Sequence, residues 1–406
     1  MFLQIWNLIP ELHIFVNLEF MNLIKRHIYG EALETARQFR AVCIVGPRQS
    51  GKTTLSQLVF GKKPYFNFED PDVEAEALQT KSFLQNLKEG AVLDEVQRVP
   101  TLFRYLQSRL DASSKRGQFI LTGSNNFLLQ EQIAQSLAGR VGYLELLPLS
   151  YAELREAKMD GPVAHHIFTG GYPEIWQQKL SVSKWMAAYI QTYIQRDVRL
   201  IRNINNLPAF TRFVRLCAGY AGRLVNKDAL AKSTGVDAKT IQAWLGLLES
   251  SYIIYLLQPY HENLNKRIVK SPKLYFCDTG LLCYLLGFSS QRALVNSTKY
   301  GALFENWVIT EIRKNRFNRG IAGGMYYFRD SAGNEVDLIL EKDDRTLAVE
   351  VKAGKQFKSE MLGGIRYWLK YNKTGSGILI TGADQGAEIN TDTSLSVLSW
   401  KEVIDL

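Results

Sequence analysis

The sequence predicts an α/β protein of three domains, and three patterns along the chain support this class. Short apolar runs alternate with amphipathic segments in the first half, a helix-turn-helix pattern lies in the middle, and two strands joined by a charged turn lie near the end. A chain of 406 residues with 46% hydrophobic residues is long enough for several cores. We expect an N-terminal extension over residues 1–23 and domains over 24–195, 196–285 and 286–406.

Five apolar runs of the first domain are typical of strands, and helical segments such as Leu102–Leu110 separate them. The predicted strands are Ala41–Val45, Tyr65–Phe68, Ala91–Leu93, Gln118–Leu121 and Tyr143–Leu147. This alternation predicts βα units around a mainly parallel sheet.

The loop after the first strand matches G-x-x-x-x-G-K-[ST] over its full length and precedes a helical segment. Its glycines let the backbone surround a phosphate group, and the following helix presents its positive end to that anion. The candidate ATP-binding residues are Gly46, Pro47, Arg48, Gln49, Ser50, Gly51, Lys52, Thr53 and Thr54. Lys52 is expected to contact the β- and γ-phosphates, and Thr53 to bind Mg²⁺. The loop therefore predicts a P-loop NTPase domain.

The strand Ala91–Leu93 ends in Asp94 and Glu95. At the carboxyl edge of the sheet Asp94 would position Mg²⁺ and Glu95 would activate water, so this pair indicates hydrolysis. The predicted strand Tyr65–Phe68 lies between the phosphate loop and this pair in the sequence. It indicates the division of P-loop proteins that has an inserted strand and a catalytic glutamate next to the aspartate. Ser124 and Asn125, after the fourth strand, are candidate γ-phosphate sensors.

The positive charge of the chain is concentrated in its middle. The net charge is +9, and the segment from Arg196 to Lys273 carries 13 basic and 5 acidic residues, a local excess of +8. Such a cluster is typical of a surface that contacts a nucleic-acid backbone.

The same segment has a helix-turn-helix pattern. Asn226 can cap a helix Lys227–Lys232, and Asp237 can cap a second helix Ala238–Glu249 whose apolar stripe is Ile241, Trp244, Leu245 and Leu248. Two strands follow, Tyr252–Leu257 and Lys273–Cys277, with His261–Lys266 as a turn, which completes a winged helix. The candidate DNA-binding residues are Arg223, Lys227, Lys239, Thr240 and Gln242. A structural lid on the ATPase is the alternative role.

The last domain contains a second group of chemical residues. The predicted strands Glu335–Leu340 and Leu347–Lys352 place Asp337, Glu350 and Lys352 where they can share one face. This is the Asp…Glu-x-Lys arrangement of restriction-type nucleases, in which Asp337 and Glu350 would bind Mg²⁺ or Mn²⁺ and Lys352 would stabilise charge. Glu305 lies on the inward face of a helix Tyr300–Arg313 and fits an accessory metal ligand. Ordinary ion pairs are the alternative.

Several motifs in order resemble bacterial and archaeal AAA-type ATPases whose C-terminal half is a domain of unknown function related to restriction endonucleases. Besides the nucleotide motifs, the resemblance rests on Leu121–Asn125, Leu137–Arg140, Leu147–Ser150, Gly170–Pro173, Phe276–Gly280, Phe328–Asp330 and Glu350–Lys352. It implies an AAA-type domain, a C-terminal restriction-endonuclease-like domain and Arg140 as a γ-phosphate-sensing arginine, with Arg48 and Arg196 as rivals. It begins just after Met21, so we expect translation to start there.

Two functions are compatible with these patterns. The first is a Mg²⁺-dependent ATPase that binds, remodels or cleaves DNA; the second is a nucleotide-dependent switch or scaffold with an inactive nuclease-like domain. A homo-oligomeric ring is expected by analogy with AAA-type relatives. The segment Phe2–Phe20 is too broken for a membrane span, and the four cysteines, without a C-x-x-C pair, indicate buried thiols in a reducing cytoplasm.

Overall fold

A computed structural model describes residues 23–123, 129, 132–133, 135–193, 204, 206–260, 270–342, 345–372, 375–387 and 394–406. The expectation about Met21 therefore falls outside the described residues, as does the turn His261–Lys266. No helix within the described ranges is long and apolar enough to cross a membrane.

The N-terminal part is built on a parallel five-stranded sheet with the order β2-β3-β4-β1-β5. Its strands are β1 (Ala41–Val45), β2 (Tyr65–Asn67), β3 (Ala91–Asp94), β4 (Phe119–Gly123) and β5 (Val141–Glu145). Strand β4 lies between β1 and β3, whereas β2, which separates them in the sequence, lies at the edge of the sheet. The inserted strand is therefore β4 and not β2, because neighbours in a parallel sheet need not be consecutive in the chain.

Helices cover both faces of this sheet, and a helical segment continues from it. They are α1 (Tyr29–Gln38), α2 (Lys52–Phe60), α3 (Pro71–Leu78), α4 (Thr80–Asn86), α5 (Thr101–Asp111), α6 (Tyr151–Glu156), α7 (Val163–Thr169), α8 (Pro173–Gln177) and α9 (Val182–Thr192). A short 3₁₀ turn, Val96–Arg98, follows β3. The β1 side chains alternate between two apolar clusters, which matches a sheet buried on both sides.

The central part combines three helices with a three-stranded antiparallel sheet of order β6-β8-β7. Its elements are α10 (Leu207–Ala218), β6 (Arg223–Leu224), α11 (Lys227–Thr234), α12 (Ala238–Ser250), β7 (Ile254–Leu257) and β8 (Lys273–Phe276). Both predicted N-caps are present, since Asn226 accepts from the Ala229 N–H and Asp237 from the Thr240 N–H. The predicted apolar stripe of α12 is buried.

The C-terminal part has a mixed sheet of order β13-β12-β11-β10-β9. Its elements are α13 (Thr279–Leu285), α14 (Gln291–Val295), α15 (Tyr300–Asn318), β9 (Met325–Arg329), β10 (Glu335–Lys342), β11 (Arg345–Lys352), α16 (Gly363–Leu369), β12 (Ser376–Thr381), β13 (Leu395–Ser399) and the 3₁₀ segments Ser359–Leu362 and Trp400–Asp405. Helix α15 extends beyond the predicted end at Arg313 and is buried over most of its length.

Strand β8 is bonded to helix α15 through a buried amide. The Asn306 side chain accepts the Phe276 N–H at 2.8 Å and donates to the Phe276 carbonyl at 2.9 Å. The Thr310 hydroxyl also donates to that carbonyl, at 3.1 Å. These bonds satisfy backbone groups on the side of β8 that faces α15, so the helix replaces a further strand there.

Helix α15 is also bonded to the N-terminal part. The Lys314 ammonium donates to the Leu149 carbonyl at 2.9 Å and to Glu311 at 2.7 Å, and Glu311 accepts the Tyr151 N–H at 2.6 Å. Both side chains are almost fully buried. A buried ion pair needs such additional hydrogen bonds to offset its desolvation, so this contact fixes the orientation of α15 against the segment after β5.

Two of the motifs quoted above meet in the structure. The Asp278 carboxylate accepts the Gly171 N–H at 2.7 Å and caps α13 through the Leu281 N–H. Gly170 has φ +72°, and a Cβ there would lie 2.3 Å from Asp278 Oδ1. Only glycine satisfies both conditions, which explains why a glycine pair faces this aspartate.

We expect Asn306→Ala to destabilise the protein, because it leaves both buried polar groups of Phe276 with one partner fewer. The cost should reach about 2 kcal/mol or more, since an unsatisfied buried group costs about 1–3 kcal/mol. Denaturant unfolding followed by circular dichroism measures it. Asn318→Ala, at the less buried end of the same helix, is the matched control. Equal midpoints for the two variants would contradict this role of Asn306.

Candidate functional site

The phosphate loop connects β1 to α2 and contains two glycines with positive φ. Gly46 has φ +152°, and a Cβ there would lie 2.2 Å from the Leu146 carbonyl oxygen, while Gly51 has φ +92° and precedes α2. The Lys52 ammonium donates to the carbonyls of Gly46 at 3.0 Å and Pro47 at 2.7 Å. The lysine thus lies along the loop that would surround a phosphate.

Asp94, at the end of β3, is the centre of a hydroxyl network. Its Oδ2 accepts from Thr53 at 2.7 Å and from Tyr65 at 2.5 Å, and its Oδ1 accepts from Thr122. Thr53 and Asp94, the two residues predicted to hold Mg²⁺ with a nucleotide, are therefore in contact. Tyr65 and Thr122 were not predicted, because only the sheet order brings β2 and β4 beside β3.

Glu95 follows Asp94 and has φ +54°, an uncommon backbone conformation for a residue other than glycine. Its Oε2 accepts from the Gln97 amide at 2.5 Å. This conformation turns the chain sharply after β3 and places Glu95 on the wall of the same cavity as Thr53. The carboxylate predicted to activate water is therefore close to the predicted phosphate position.

A cavity of about 610 Å³ opens over the phosphate loop. Its walls include residues of the phosphate loop and residues of helices α8 and α9. The α9 residues Trp185 and Tyr189 stack with ring centroids 5.2 Å apart, and Tyr172 packs against both. These aromatic residues were not predicted from the sequence, although the Gly170–Pro173 motif contains Tyr172 and precedes the other two.

Arg26 connects the phosphate loop to the segment that follows β5. Its buried guanidinium donates to the Ser50 carbonyl at 2.7 Å, the Leu147 carbonyl at 2.7 Å and Glu153 at 3.0 Å. Burial by itself raises the pKa of Glu153, but Arg26 and backbone N–H groups outweigh it and lower that pKa below its ordinary value. The loop is thus tied to the segment that precedes α6.

The predicted sensor residues have different outcomes. Ser124, Asn125 and Arg196 lie outside the described residues. Arg140 precedes β5 at the amino edge of the sheet, opposite the phosphate loop, and donates to both Asp111 oxygens at 2.6 and 2.9 Å. Arg140 is therefore not part of the site of its own chain, whereas Arg48 lies on the wall of the cavity.

The candidate DNA-binding residues lie on β6, α11 and α12 of the central part. Arg223, Lys227, Lys239 and Gln242 are exposed, and the Lys227 ammonium donates to the Gln242 side chain at 2.9 Å. Thr240 is half-buried and bonds to Asp237. Lys273, which contributed to the local excess of charge, is 2% exposed and is not part of this surface.

The C-terminal part brings the predicted nuclease-like residues together. Strands β10 and β11 pair antiparallel with Leu338 opposite Val349. The Lys352 ammonium lies 2.5 Å from Glu350 and 3.9 Å from Asp337, so the two predicted faces coincide. Asp337 also accepts the Val351 N–H at 3.0 Å.

Lys273 of β8 extends into this group of carboxylates. Its ammonium lies 3.5 Å from Asp337 and 3.6 Å from Glu305, and it is paired with Glu335. Tyr275, also on β8, donates to Glu305 at 2.7 Å. We call these residues the carboxylate centre: Glu305, Glu335, Asp337 and Glu350 with Lys273, Tyr275 and Lys352.

Charge and burial shift the pKa values in this centre. Burial raises the pKa of Glu350 and of Glu305, and the neighbouring Asp337 charge raises both further. Burial alone lowers the pKa of Lys273, but the charges of Glu305, Asp337 and Glu335 outweigh it and raise that pKa. Lys273 is therefore an ammonium ion held by carboxylates.

The ammonium of Lys273 lies among the carboxylates that were predicted to bind a metal ion. Among the described residues, no group of three or more His, Cys, Asp or Glu side chains is arranged to hold a metal ion. One oxygen of Asp337 and one oxygen of Glu305 face the Lys273 ammonium, at 3.5 and 3.6 Å. The metal-binding role of Glu305, Asp337 and Glu350 stays a prediction from the sequence.

Comparisons with known proteins agree with the nucleotide site. Residues 38–155 match the model of an AAA domain, and residues 162–292 and 300–403 match two domains of unknown function, DUF8612 and DUF4143. The Walker-type ATPase PABY2304 of Pyrococcus abyssi superposes with a TM-score of 0.45 at 16% identity, covering 65% of this chain and 96% of that one.

Two curated relatives span most of the chain. Rv2008c, an uncharacterised protein of Mycobacterium tuberculosis, is 32% identical over 317 residues, which are 77% of this chain and 70% of the relative. MJ1544, an uncharacterised protein of Methanocaldococcus jannaschii, is 24% identical over 338 residues, 75% of this chain and 73% of the relative.

The sheet order, the phosphate loop and the AAA match define the N-terminal part as an AAA-type P-loop ATPase domain, which confirms that prediction. The chain belongs to the family of the mycobacterial protein Rv2008c.

Tyr65→Phe tests the hydroxyl network. Removing the donor to Asp94 should weaken the hold on Mg²⁺ and lower ATP turnover at limiting Mg²⁺ about tenfold, because a hydrogen bond to a charged group contributes about 1.5–3 kcal/mol. Steady-state ATPase assays over a Mg²⁺ titration measure the change. Tyr105→Phe, an exposed tyrosine on α5, is the control. Superimposable titrations for all three proteins would exclude the role of Tyr65.

Proposed function

We propose that the protein hydrolyses ATP with Mg²⁺ and that turnover changes the way its central part engages DNA. The observation that carries the first half is the meeting of Lys52, Thr53, Asp94 and Glu95 beside one cavity. In this proposal Lys52 leaves the loop carbonyls for the β- and γ-phosphates. Thr53 and Asp94 hold Mg²⁺, whose charge offsets that of the phosphates, and Glu95 orients water.

We infer that helices α8 and α9 contact the bound nucleotide. Trp185 and Tyr189 line the same cavity as the phosphate loop, and an aromatic ring there offers a surface for a base or ribose. The Trp185 N–H is bonded to Glu174 at 2.8 Å, which fixes the indole. A bound nucleotide would thus connect the loop to α9.

Lys52→Ala and Glu95→Gln should separate binding from hydrolysis. The first removes the charge that pairs with phosphates, so nucleotide affinity falls; the second keeps affinity and lowers turnover about 10²–10⁴-fold, because a positioned base contributes that much. Fluorescent-nucleotide binding and phosphate release measure the two effects.

Glu76→Gln, an exposed carboxylate of the same domain, is the control for lost charge. Wild-type turnover in Glu95→Gln would remove Glu95 from the mechanism. Unchanged nucleotide affinity in Lys52→Ala would exclude the phosphate loop as the nucleotide-binding site.

The DNA half of the proposal is supported by the exposed basic surface of the central part. Its described members are Arg212, Arg215, Arg223, Lys227, Lys232, Lys239 and Lys270. The exposed face of α12, with Lys239 and Gln242, is the one that a winged helix presents to a groove. Burial of Lys273 lowers the charge available there but leaves this surface basic.

Neutralising Arg223, Lys227 and Lys239 together should weaken DNA binding across all sequences. The log–log salt slope should fall by about one unit for each lost phosphate contact. Fluorescence anisotropy at several salt concentrations measures both quantities. The matched control neutralises Lys62, Lys81 and Lys88, exposed lysines of the ATPase domain, and so changes the net charge equally. Equal losses in the two triple variants would assign the effect to overall charge and leave the central part as a lid.

For the C-terminal part, the contacts of Lys273 favour binding of DNA or of a partner over metal-dependent cleavage. The proposal therefore keeps cleavage by Asp337, Glu350 and Lys352 as the weaker form of the DNA function. A nucleotide-dependent switch or scaffold is the alternative if no DNA binds. In a homo-oligomer, Arg140 at the amino edge of the sheet would be available to a neighbour's nucleotide if it left Asp111.

A further inference from the structure

The carboxylate centre lies where two parts of the chain meet. Glu335, Asp337 and Glu350 come from the β10–β11 pair, Glu305 comes from α15, and Lys273 comes from β8 of the central part. A lysine that is 2% exposed is rare unless it is paired, and this one is near three carboxylates from two elements. Its position therefore needs a physical reason.

We propose that Lys273 takes the place of a metal ion in the carboxylate centre. Clustered buried carboxylates repel one another and require a positive charge close by. A nuclease-like domain would obtain that charge from a divalent cation. Here the ammonium of Lys273 supplies it from within the chain, so the wild-type protein binds no divalent cation at this position.

Neighbouring contacts hold Lys273 in this position. The ring of Tyr327 lies 5.6 Å from the ammonium, and Tyr275 donates to the same Glu305 oxygen that faces Lys273. The bonds of Asn306 to Phe276 fix the end of β8 on α15. The lysine cannot withdraw without shifting a strand that is buried along its whole length.

The outer side of the centre is closed by other cations. Arg329 pairs with Glu335 at 2.9 Å, and Lys352 pairs with Glu350 at 2.5 Å. Within the described part of the chain, Glu350 Oε2 is buried without a hydrogen-bond partner. Its Oε1 and the other carboxylates of the centre are balanced by ammonium and guanidinium charges.

The ion pairs of Lys273 join two parts of the chain, because Lys273 belongs to the central part and its partners belong to the C-terminal part. Breaking one side of a buried ion pair costs more than the pair itself contributes, because a charge is left uncompensated. The carboxylates of this centre therefore hold β8 against the C-terminal part through their ion pairs with Lys273.

Manganese binding to the full-length, nucleotide-free protein tests the inference. Free Mn²⁺ is measured by electron paramagnetic resonance for wild type, Asp337→Asn, Lys273→Met and Lys273→Met/Asp337→Asn. Wild type and Asp337→Asn should bind the same amount. Lys273→Met should gain about one equivalent, because clustered carboxylates that have lost their ammonium attract a divalent cation. The double variant should lose that gain.

Thermal melts add a second measurement. Mn²⁺ should raise the Tm of Lys273→Met, because it restores a positive charge in the carboxylate centre. The Tm of the wild type should change no more with Mn²⁺ than the Tm of Asp337→Asn does. If Lys273→Met does not fold, Lys273→Met/Glu335→Gln removes one charge of each sign and takes its place.

The inference is wrong if wild type binds a Mn²⁺ ion that Asp337→Asn loses. It is equally wrong if neither Lys273 variant gains Mn²⁺ or a metal-dependent rise in Tm. Phosphate release from ATP is measured on the same proteins, so failure of the ATPase proposal stays distinguishable from failure of this one.

Discussion

The placement of strand β8 depends on buried polar contacts on every side, and the rest of the structure is built around it. Lys273 pairs with carboxylates of α15 and β10, and Phe276 exchanges hydrogen bonds with Asn306. Asp278, just beyond the strand, accepts the Gly171 N–H. Each of these groups is costly to bury alone. They are satisfied only when the three parts of the chain are docked together, so the docking is specific as well as apolar.

Much of the nucleotide site could be predicted from the sequence, because its information is local. The spacing from Gly46 to Thr53 determines both the loop conformation and the start of α2, and an apolar strand ending in Asp94 and Glu95 places these carboxylates at the sheet edge. Helix caps at Asn226 and Asp237 were predictable for the same reason. A contact within a few residues is determined by backbone geometry alone.

The missed residues depend on contacts between distant segments. Tyr65 reaches Asp94 because β2 pairs with β3, and sequence order gave no means to decide which strand lies between β1 and β3. Lys273 was counted with the basic residues of the central part, but its partners lie 32 to 64 residues further along the chain. A periodic pattern tells which face of an element is buried and not what it is buried against. A count of charged residues therefore overestimates the positive charge of a surface whenever one of the counted lysines is paired in the interior.

A continuous series of contacts leads from the nucleotide cavity to the carboxylate centre. Pro173 lines the cavity and follows Gly171, whose N–H is bonded to Asp278 beyond the end of β8, and β8 carries Lys273 at its other end. A shift of α8 in response to a ligand must either carry Asp278 along or break a buried charge-assisted hydrogen bond. Gly170 leaves no room for a side chain beside Asp278, so the two segments cannot slide past each other freely. The tight packing and the buried hydrogen bond thus join the segment that precedes α8 to the segment that follows β8 as one packed unit.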